Sequence, residues 1–408
     1  MGRLPRVLIC SAQNYLPFLS NMPVDFTYLK LYIEKVIRSD RQNSRGETWP
    51  SGDRTAPAGQ SAISKLGGLM NMKKKLLALF LASAMALCLV ACGGDTGTTT
   101  DDTSGDTSGD GQTYTIGIVQ QQQHVALDQA TQGFQDALTE LLGDSVTFDP
   151  QNASGDTNSC TTIVNNFVSQ GVDLIMANGT TALQAAMSAT DTIPILGTSV
   201  TEYGVALGID GFDGNAGTGM NISGTSDLAP LDQQAAMIQE WFPEAQNVGL
   251  LYCSAEPNSQ YQVDQVQKYL EEAGITCTQY SFSDSNDLSA VATTACSSND
   301  VLYIPTDNTA ATNSELIGNI ALDAGVPIIA GEEGICKGCG VATLTISYYD
   351  IGYATGEMAY EILVNGADIS TMPIEYAPQF TPKYNPDMCE ALGLTPPEGY
   401  TAIEMDAE

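Results

Sequence analysis

Histidine is all but missing from this chain: His124 is the one in 408 residues. A His-rich metal site is thereby excluded, and a catalytic triad or zinc hydrolase would need partners that no motif supplies. Set at the start of a helical pattern, His124 reads as a hydrogen-bonding group rather than a general base. Arginine stops at Arg54. Beyond Cys92 the basic side chains are Lys268, Lys337 and Lys383, against 43 Asp and Glu. Nucleic-acid binding needs a basic footprint, and this stretch has none. An anionic membrane surface would repel it as well, so any attachment to a bilayer has to come from a lipid. The one long apolar run, Leu76–Ala91, is 16 residues, short of the ~20 a spanning helix requires. Cysteine is present but not patterned. Cys160, Cys253, Cys277, Cys296, Cys336, Cys339 and Cys389 are an odd number, widely spread, and read as mostly buried free thiols rather than a disulfide scaffold.

What is there begins with a sorting signal. Met72–Gly94 reads MKKKLLALFLASAMALCLVACGG. Lys73, Lys74 and Lys75 form a positive start, Leu76–Leu89 an apolar run, and Leu89-Val90-Ala91-Cys92 a lipobox-like cleavage site. Residues 72–91 are therefore expected to be a lipoprotein signal peptide, with Cys92 the lipidated first residue and the bilayer a partner through it. One acyl chain anchors only marginally, so more than one is implied. Residues 92–112, rich in Gly, Thr, Asp and Ser, form an expected disordered tether. A signal belongs at an N-terminus, yet 71 residues precede this one. Residues 1–71 are expected to be a mis-assigned upstream extension, with Met72 the true start.

From Tyr114 short β-rich runs alternate with helical patterns. Tyr114–Val119, Val172–Met176, Val248–Tyr252 and Val301–Ile304 are apolar runs suited to buried strands. Val125–Leu142, Thr157–Gln170, Asn258–Ala273, Thr309–Ala324 and Tyr348–Val364 carry apolar residues at helical spacing. Val205–Ile209 reads as a strand. Two such series of similar length predict an α/β protein of two doubly wound parallel-sheet lobes joined by a hinge.

In such sheets ligands bind beyond the carboxyl ends of the strands. Polar clusters stand at those ends in both series: Gln120–His124, Ala177–Thr181, Gly197–Ser199, Cys253–Ser259, Pro305–Thr309 and Ala330–Glu333. Each singly is explained by helix capping, and it is their recurrence that suggests a shared cleft. Without arginine, a ligand carboxylate would have to be held by hydroxyls and backbone N–H groups at helix starts. Glu332, Glu333 and Asp307 are candidates to pair with an ammonium. A zwitterion such as an amino acid fits that layout; a sugar or nucleoside on the same fold is the alternative. An enzyme using Glu332 and Glu333 as an acid–base pair is the third reading, disfavoured because neighbours in sequence rarely flank one substrate. Tyr203, Tyr252, Tyr261 and Phe212 are candidates for aromatic walls, although each also suits a core. Cys336-Lys337-Gly338-Cys339 is a C-x-x-C read as a loop between strands, with a disulfide or free thiols and no redox role. Asp210–Asn215 lacks the calcium-loop pattern and reads as a turn. The glycines at 214, 217 and 219 have no strand–helix context for a dinucleotide. No cofactor and no metal are expected.

Several stretches resemble one family. They are IGIVQQQQHVALDQATQGF (Ile116–Phe134), GTTALQAA (Gly179–Ala186), SGTSDLAPLDQQ (Ser223–Gln234), VGLLYCSAEPNSQYQV (Val248–Val263), VLYIPTDNT (Val301–Thr309) and ISYYDIGYATGEMAYEIL (Ile346–Leu363). From Thr115 to Leu394 the chain is similar to the tryptophan/tyrosine-type substrate-binding proteins of ABC transporters, with the type I periplasmic-binding-protein fold. It departs from them at Gly197–Gly204 and at the C-x-x-C. The resemblance implies a monomeric, non-enzymatic solute binder on the extracytoplasmic face. It implies delivery of a small ligand to an ABC permease, the ligand being an amino acid, with aromatic ones among the candidates. It implies that the chain returns late to the first lobe, giving lobe one as 113–227 and 346–371 and lobe two as 228–345 and 372–408. It places the cleft at Thr180, Thr181, Thr198, Ser226, Asp227, Asn258, Ser259, Asp307, Asn308 and Glu332. Mass spectrometry of the native protein should find lipid-modified Cys92 as its first residue and no peptide from residues 1–71. An intact Leu31–Lys35 peptide would overturn the reading of the start.

Overall fold

Apolar runs too short for helices and covered on both faces are the natural strands of a parallel sheet. In the computed structural model, which describes residues 112–405, they form two such sheets. The upstream extension, the signal segment, Cys92 and all but the last residue of the tether lie outside the described residues. Among the described residues, no helix is long and apolar enough to cross a membrane.

The first series is β1 (Tyr114–Gln120), α1 (Val125–Leu142), β2 (Val146–Asn152), α2 (Thr157–Gln170), β3 (Leu174–Asn178), α3 (Thr180–Ala189), β4 (Ile195–Val200), α4 (Tyr203–Leu207) and β5 (Ile222–Ser226). The second is α5 (Leu231–Trp241), β6 (Asn247–Cys253), α6 (Pro257–Glu272), β7 (Thr276–Phe282), α7 (Ser285–Cys296), β8 (Val301–Ile304), α8 (Asn308–Thr312), α9 (Ser314–Ala324), β9 (Ile328–Ala330), α10 (Glu333–Cys339) and β10 (Ala342–Thr345). The chain closes with α11 (Tyr348–Leu363), β11 (Glu375–Tyr376), β12 (Thr381–Tyr384), α12 (Pro386–Leu392) and β13 (Thr401–Ala402).

The first sheet runs β2-β1-β3-β4-β5-β11, all parallel. The second runs β7-β6-β8-β9-β10-β12-β13, with β12 antiparallel to β10. The two lobes thus repeat one strand order, reversing direction beside β1 and beside β6. Three segments cross between them: after β5, after β10, and between β11 and β12.

The second crossing carries α11 back onto the first lobe, where Met358 and Ala359 join a core with Ile116, Ile118 and Phe134. Small residues make that contact close. A methyl added at Gly133 would overlap the Tyr349 carbonyl oxygen, one at Gly352 the Ala130 carbonyl oxygen, and one at Gly356 the Ala137 side chain. The Tyr114 hydroxyl donates to the Leu363 carbonyl at 2.9 Å, tying the far end of α11 to β1.

Several elements differ from their sequence reading. Residues 203–207 are a helix and not a strand, because the Glu202 carboxylate accepts from the N–H groups of Gly204 and Val205 and caps a turn there. Thr309–Ala324 is broken at Asn313, giving α8 and α9. The C-x-x-C lies inside helix α10 rather than in a loop, with both thiols fully buried. All seven described cysteines are free, and all but Cys277 are buried. Glu375–Tyr376 pairs with β5, so the first sheet extends past the boundary drawn at residue 371. Because the contact between α1 and α11 leaves no room for a side chain, Gly352→Ala should destabilise the protein by about 1–3 kcal/mol. The change should appear as a lower urea midpoint with an unchanged slope.

Candidate ligand-binding site

The strand ends of both sheets converge on one narrow crevice, with a cavity volume of about 10 Å³. The first lobe lines it with His124 and Leu127 of the α1 start, Ser199 and Thr201 after the β4 core, Asp227 and Tyr348. The second lobe adds Asn258, Thr306, Asp307, Asn308, Ala311 and Glu332.

Each polar group is held by local structure. Asp307 is the N-cap of α8: one carboxylate oxygen accepts from Ala310 N–H at 2.7 Å, the other from Cys253 N–H at 2.7 Å. Burial, with the charge of nearby Glu256, pushes its pKa up to about 7, and those N–H groups pull in the opposite direction. Glu332 is the N-cap of α10 and accepts from the N–H groups of Gly334 and Ile335. Burial raises its pKa, and the neighbouring His124 opposes that rise. Asp227 sits in the first crossing segment, not at a helix start. Its Oδ2 accepts from the Tyr348 hydroxyl at 2.9 Å, which joins the first crossing to the end of the second. Its Oδ1 is buried and has no partner. Burial raises the Asp227 pKa, with the Thr201 and Tyr348 side chains acting against it.

Ser199 has a left-handed backbone, φ 53°, where the register between β4 and β5 shifts. Non-glycine residues seldom hold that conformation without a reason, and it marks candidate functional sites. The Ser199 hydroxyl is buried without a partner, and so is Asn258 Oδ1. Three unpaired polar atoms, from Ser199, Asp227 and Asn258, therefore line one crevice. Buried polar groups are paired in the great majority of cases, so three around one space point to a polar ligand.

Of the ten residues assigned to the cleft from sequence, Asp227, Asn258, Asp307, Asn308 and Glu332 line it. The other five are absorbed by the framework. Thr180 is buried at the start of α3, and Thr181 N–H donates to the Gln121 side chain at 2.9 Å. The Thr198 and Thr225 hydroxyls are 3.1 Å apart, and Thr225 continues to Thr355 at 2.9 Å, stitching β4, β5 and α11 together. The Ser226 hydroxyl donates to the Thr201 carbonyl at 2.8 Å. Ser259 is fully buried beside Asp307. Glu333 is ion-paired with Lys383 at 2.7 Å, and both Glu332 oxygens accept from the first turn of α10. Tyr203, Tyr252, Tyr261 and Phe212 do not line the crevice; Tyr203 and Tyr252 are core residues, and Tyr348 is the aromatic group that does. The ten residues leave out Ser199, Thr201, Thr306 and Tyr348, although Ser199 and Thr306 stand in the strand-end clusters beside Thr198 and Asp307. Tyr348 had a different signal, its place at the start of a helix that returns to the first lobe.

Two sheets of the same reversed strand order, joined by three crossings around a shared polar crevice, define a two-lobed solute-binding protein with the type I periplasmic-binding fold. A family model described as ABC transporter substrate binding protein matches residues 115–404, and the chain belongs to that family. It is 33% identical over 282 residues to a curated tyrosine-binding protein of Clostridioides difficile, covering 68% of this chain and 81% of that one. It is similar to the ABC domain solved in complex with L-Trp from Streptococcus pneumoniae, at 29% identity and TM-score 0.68, covering 72% of this chain and 100% of the other. It is also similar to the ligand-free, open structure of a substrate binding protein with adhesive properties from Clostridium difficile, at 34% identity and TM-score 0.56, covering 72% and 100%.

The raised Asp307 pKa has a consequence for stability. The folded state holds that proton more tightly than the unfolded chain does, so stability falls as pH rises from about 4 through about 7. The urea midpoint should drop across that window, and Asp307→Asn, which keeps the cap, should flatten part of the drop.

Proposed function

We propose that this protein is the lipid-anchored, extracytoplasmic solute-binding component of an ABC importer, and that the crevice takes an aromatic amino acid. The observation that carries the reading is the set of unpaired atoms on Ser199, Asp227 and Asn258. Asp227 Oδ1 and Asn258 Oδ1 are acceptors without donors, which suits an ammonium. The Ser199 hydroxyl is a donor, which suits a carboxylate in a site without arginine. Tyr348, Leu127 and Ala311 supply apolar surface beside them. Relatives that bind tyrosine and L-Trp support the aromatic assignment. The better superposition on the L-Trp complex than on the open, ligand-free structure is consistent with lobes drawn together around the site. Lipid attachment at Cys92 is supported by the signal-like segment and by the acidity of the chain beyond Cys92. An acidic, tethered binder of this kind would release its ligand to a permease held in the same membrane.

A thermal-shift screen of the purified protein against tryptophan, tyrosine, phenylalanine, sugars and nucleosides tests this. A ligand at 100 times its Kd should stabilise the fold by ~2.7 kcal/mol. Asp227→Asn should weaken an aromatic amino acid by about 2 kcal/mol, roughly thirtyfold, and spare the analogue lacking the amino group. Stabilisation by a sugar and by no amino acid would sink the assignment.

A further inference from the structure

Ser199 reaches the crevice because β4 is interrupted. Gly197 pairs with Gly224 and Val200 with Ser226, so Thr198 and Ser199 together face the single residue Thr225. This is a β-bulge, which re-aims a side chain. The cores on the two faces of the sheet record the change. Leu196 packs with Ile116 and Met358 on the α11 side, whereas Ile195 packs with Phe167 and Leu183 on the other. Side chains alternate along an unbroken strand. Residue 199 would then join Ile195, and residue 200 would join Leu196. Val200 instead joins Ile195. The extra residue is Ser199, held at φ 53° on the crevice wall with its hydroxyl unpaired. Glycine would take that angle without strain, so the hydroxyl is what a serine adds there.

Tyr203 meets the bulge from the side to which a regular β4 would return the serine. Its ring belongs to the core of Ile195 and Val200. Its hydroxyl donates to the carbonyl of Thr225, the residue opposite the bulge, at 3.1 Å. The hydroxyl also lies against the last regular pair of the ladder. A methyl added at Gly197 would sit 2.5 Å from its oxygen, and one at Gly224 would overlap it. The contact of Thr198 with Thr225, by contrast, suits a regular strand equally well, since those two residues would pair there. The Ser226 hydroxyl, bonded to the Thr201 carbonyl at 2.8 Å, holds the shifted register beyond the bulge. We infer that Tyr203 is a positioning residue, whose bond to Thr225 keeps β4 bulged and so presents the Ser199 hydroxyl to the ligand's carboxylate. The inference rests on the reading of the crevice as the ligand site, with Ser199 as the donor. Tyr203→Phe keeps the ring and removes the bond. Ser199 then spends part of its time turned back toward the core, while Ser226 still holds the strand beyond it.

Calorimetric titration of tyrosine and tryptophan into Ser199→Ala, Tyr203→Phe and the double variant tests this. Ser199→Ala should weaken binding about tenfold, as loss of a hydrogen bond to a charged group does. Tyr203→Phe should weaken it about fivefold, and the double variant should bind no more weakly than Ser199→Ala, because both changes remove one interaction. Tyramine, which lacks the carboxylate, should bind Tyr203→Phe within about twofold of the wild type. A tyrosine that merely stabilised the fold would show neither the dependence on Ser199 nor the dependence on a carboxylate. Unchanged affinity in Tyr203→Phe, additive losses in the double variant, or an equal loss for tyramine would overturn the inference. A crystal structure of ligand-free Tyr203→Phe gives a readout that needs no ligand. Ser199 should appear in a second conformer with negative φ and its hydroxyl withdrawn from the crevice. A bulge identical to the wild type would refute the role of Tyr203. A wild-type protein that binds no amino acid would refute the reading of the site, and the crystal structure would still decide what holds the bulge.

Discussion

Four buried carboxylates with no arginine to meet them set the terms for this molecule. Asp227, Glu256, Asp307 and Glu332 are each withdrawn from water, and burying an unpaired charge is costly. The fold answers with N–H groups at helix starts. Asp307 and Glu332 each satisfy the first turn of the helix they begin, and Glu256 satisfies the start of α8 from outside it. The helix starts cluster at the carboxyl ends of the strands, so the acidic groups cluster there too. Asp227 is the exception: no helix begins at it, its Oδ2 accepts from the Tyr348 hydroxyl, and its Oδ1 is buried without a partner. The residue least satisfied by the framework is the one most available to a ligand.

That tyrosine reaches Asp227 because of packing some distance away. Tyr348 is the first residue of α11, and α11 is seated by glycines against α1. The backbones approach as far as bare Cα atoms allow, which sets the height of the helix start above the sheet. A core contact between two helices thereby places a side chain in the polar crevice, and joins two crossings at the point about which the lobes would turn.

Much of the architecture was legible in the sequence, since buried strands of a parallel sheet are runs of Ile, Leu and Val with few rivals. Its failures have physical causes. The strand Ile222–Ser226 is ISGTS, whose small polar residues hide a fully buried position. Residues 205–209 have an apolar run that fits either period, and the Glu202 cap decides for helix. In α10 the glycines at 334 and 338 disguise a helix that its Glu332 cap sustains. The site was half legible. Strand ends told where polar groups gather but not which way each points, so Thr198 and Ser259 turned out to bind the framework. Ser199 stands in a polar strand-end cluster, but the backbone angle that sets it apart from Thr198 leaves no trace in composition.

The late return of the chain also constrains how the protein comes into being. The first lobe needs α11 and β11, and the second needs β12 and β13, all supplied by the last sixth of the sequence. Neither lobe can be completed while its own series is being made. Synthesis is directional, and contacts so far apart in the chain form slowly. A nascent chain of this topology therefore has no finished core in either lobe until the segments from α11 to β13 have emerged.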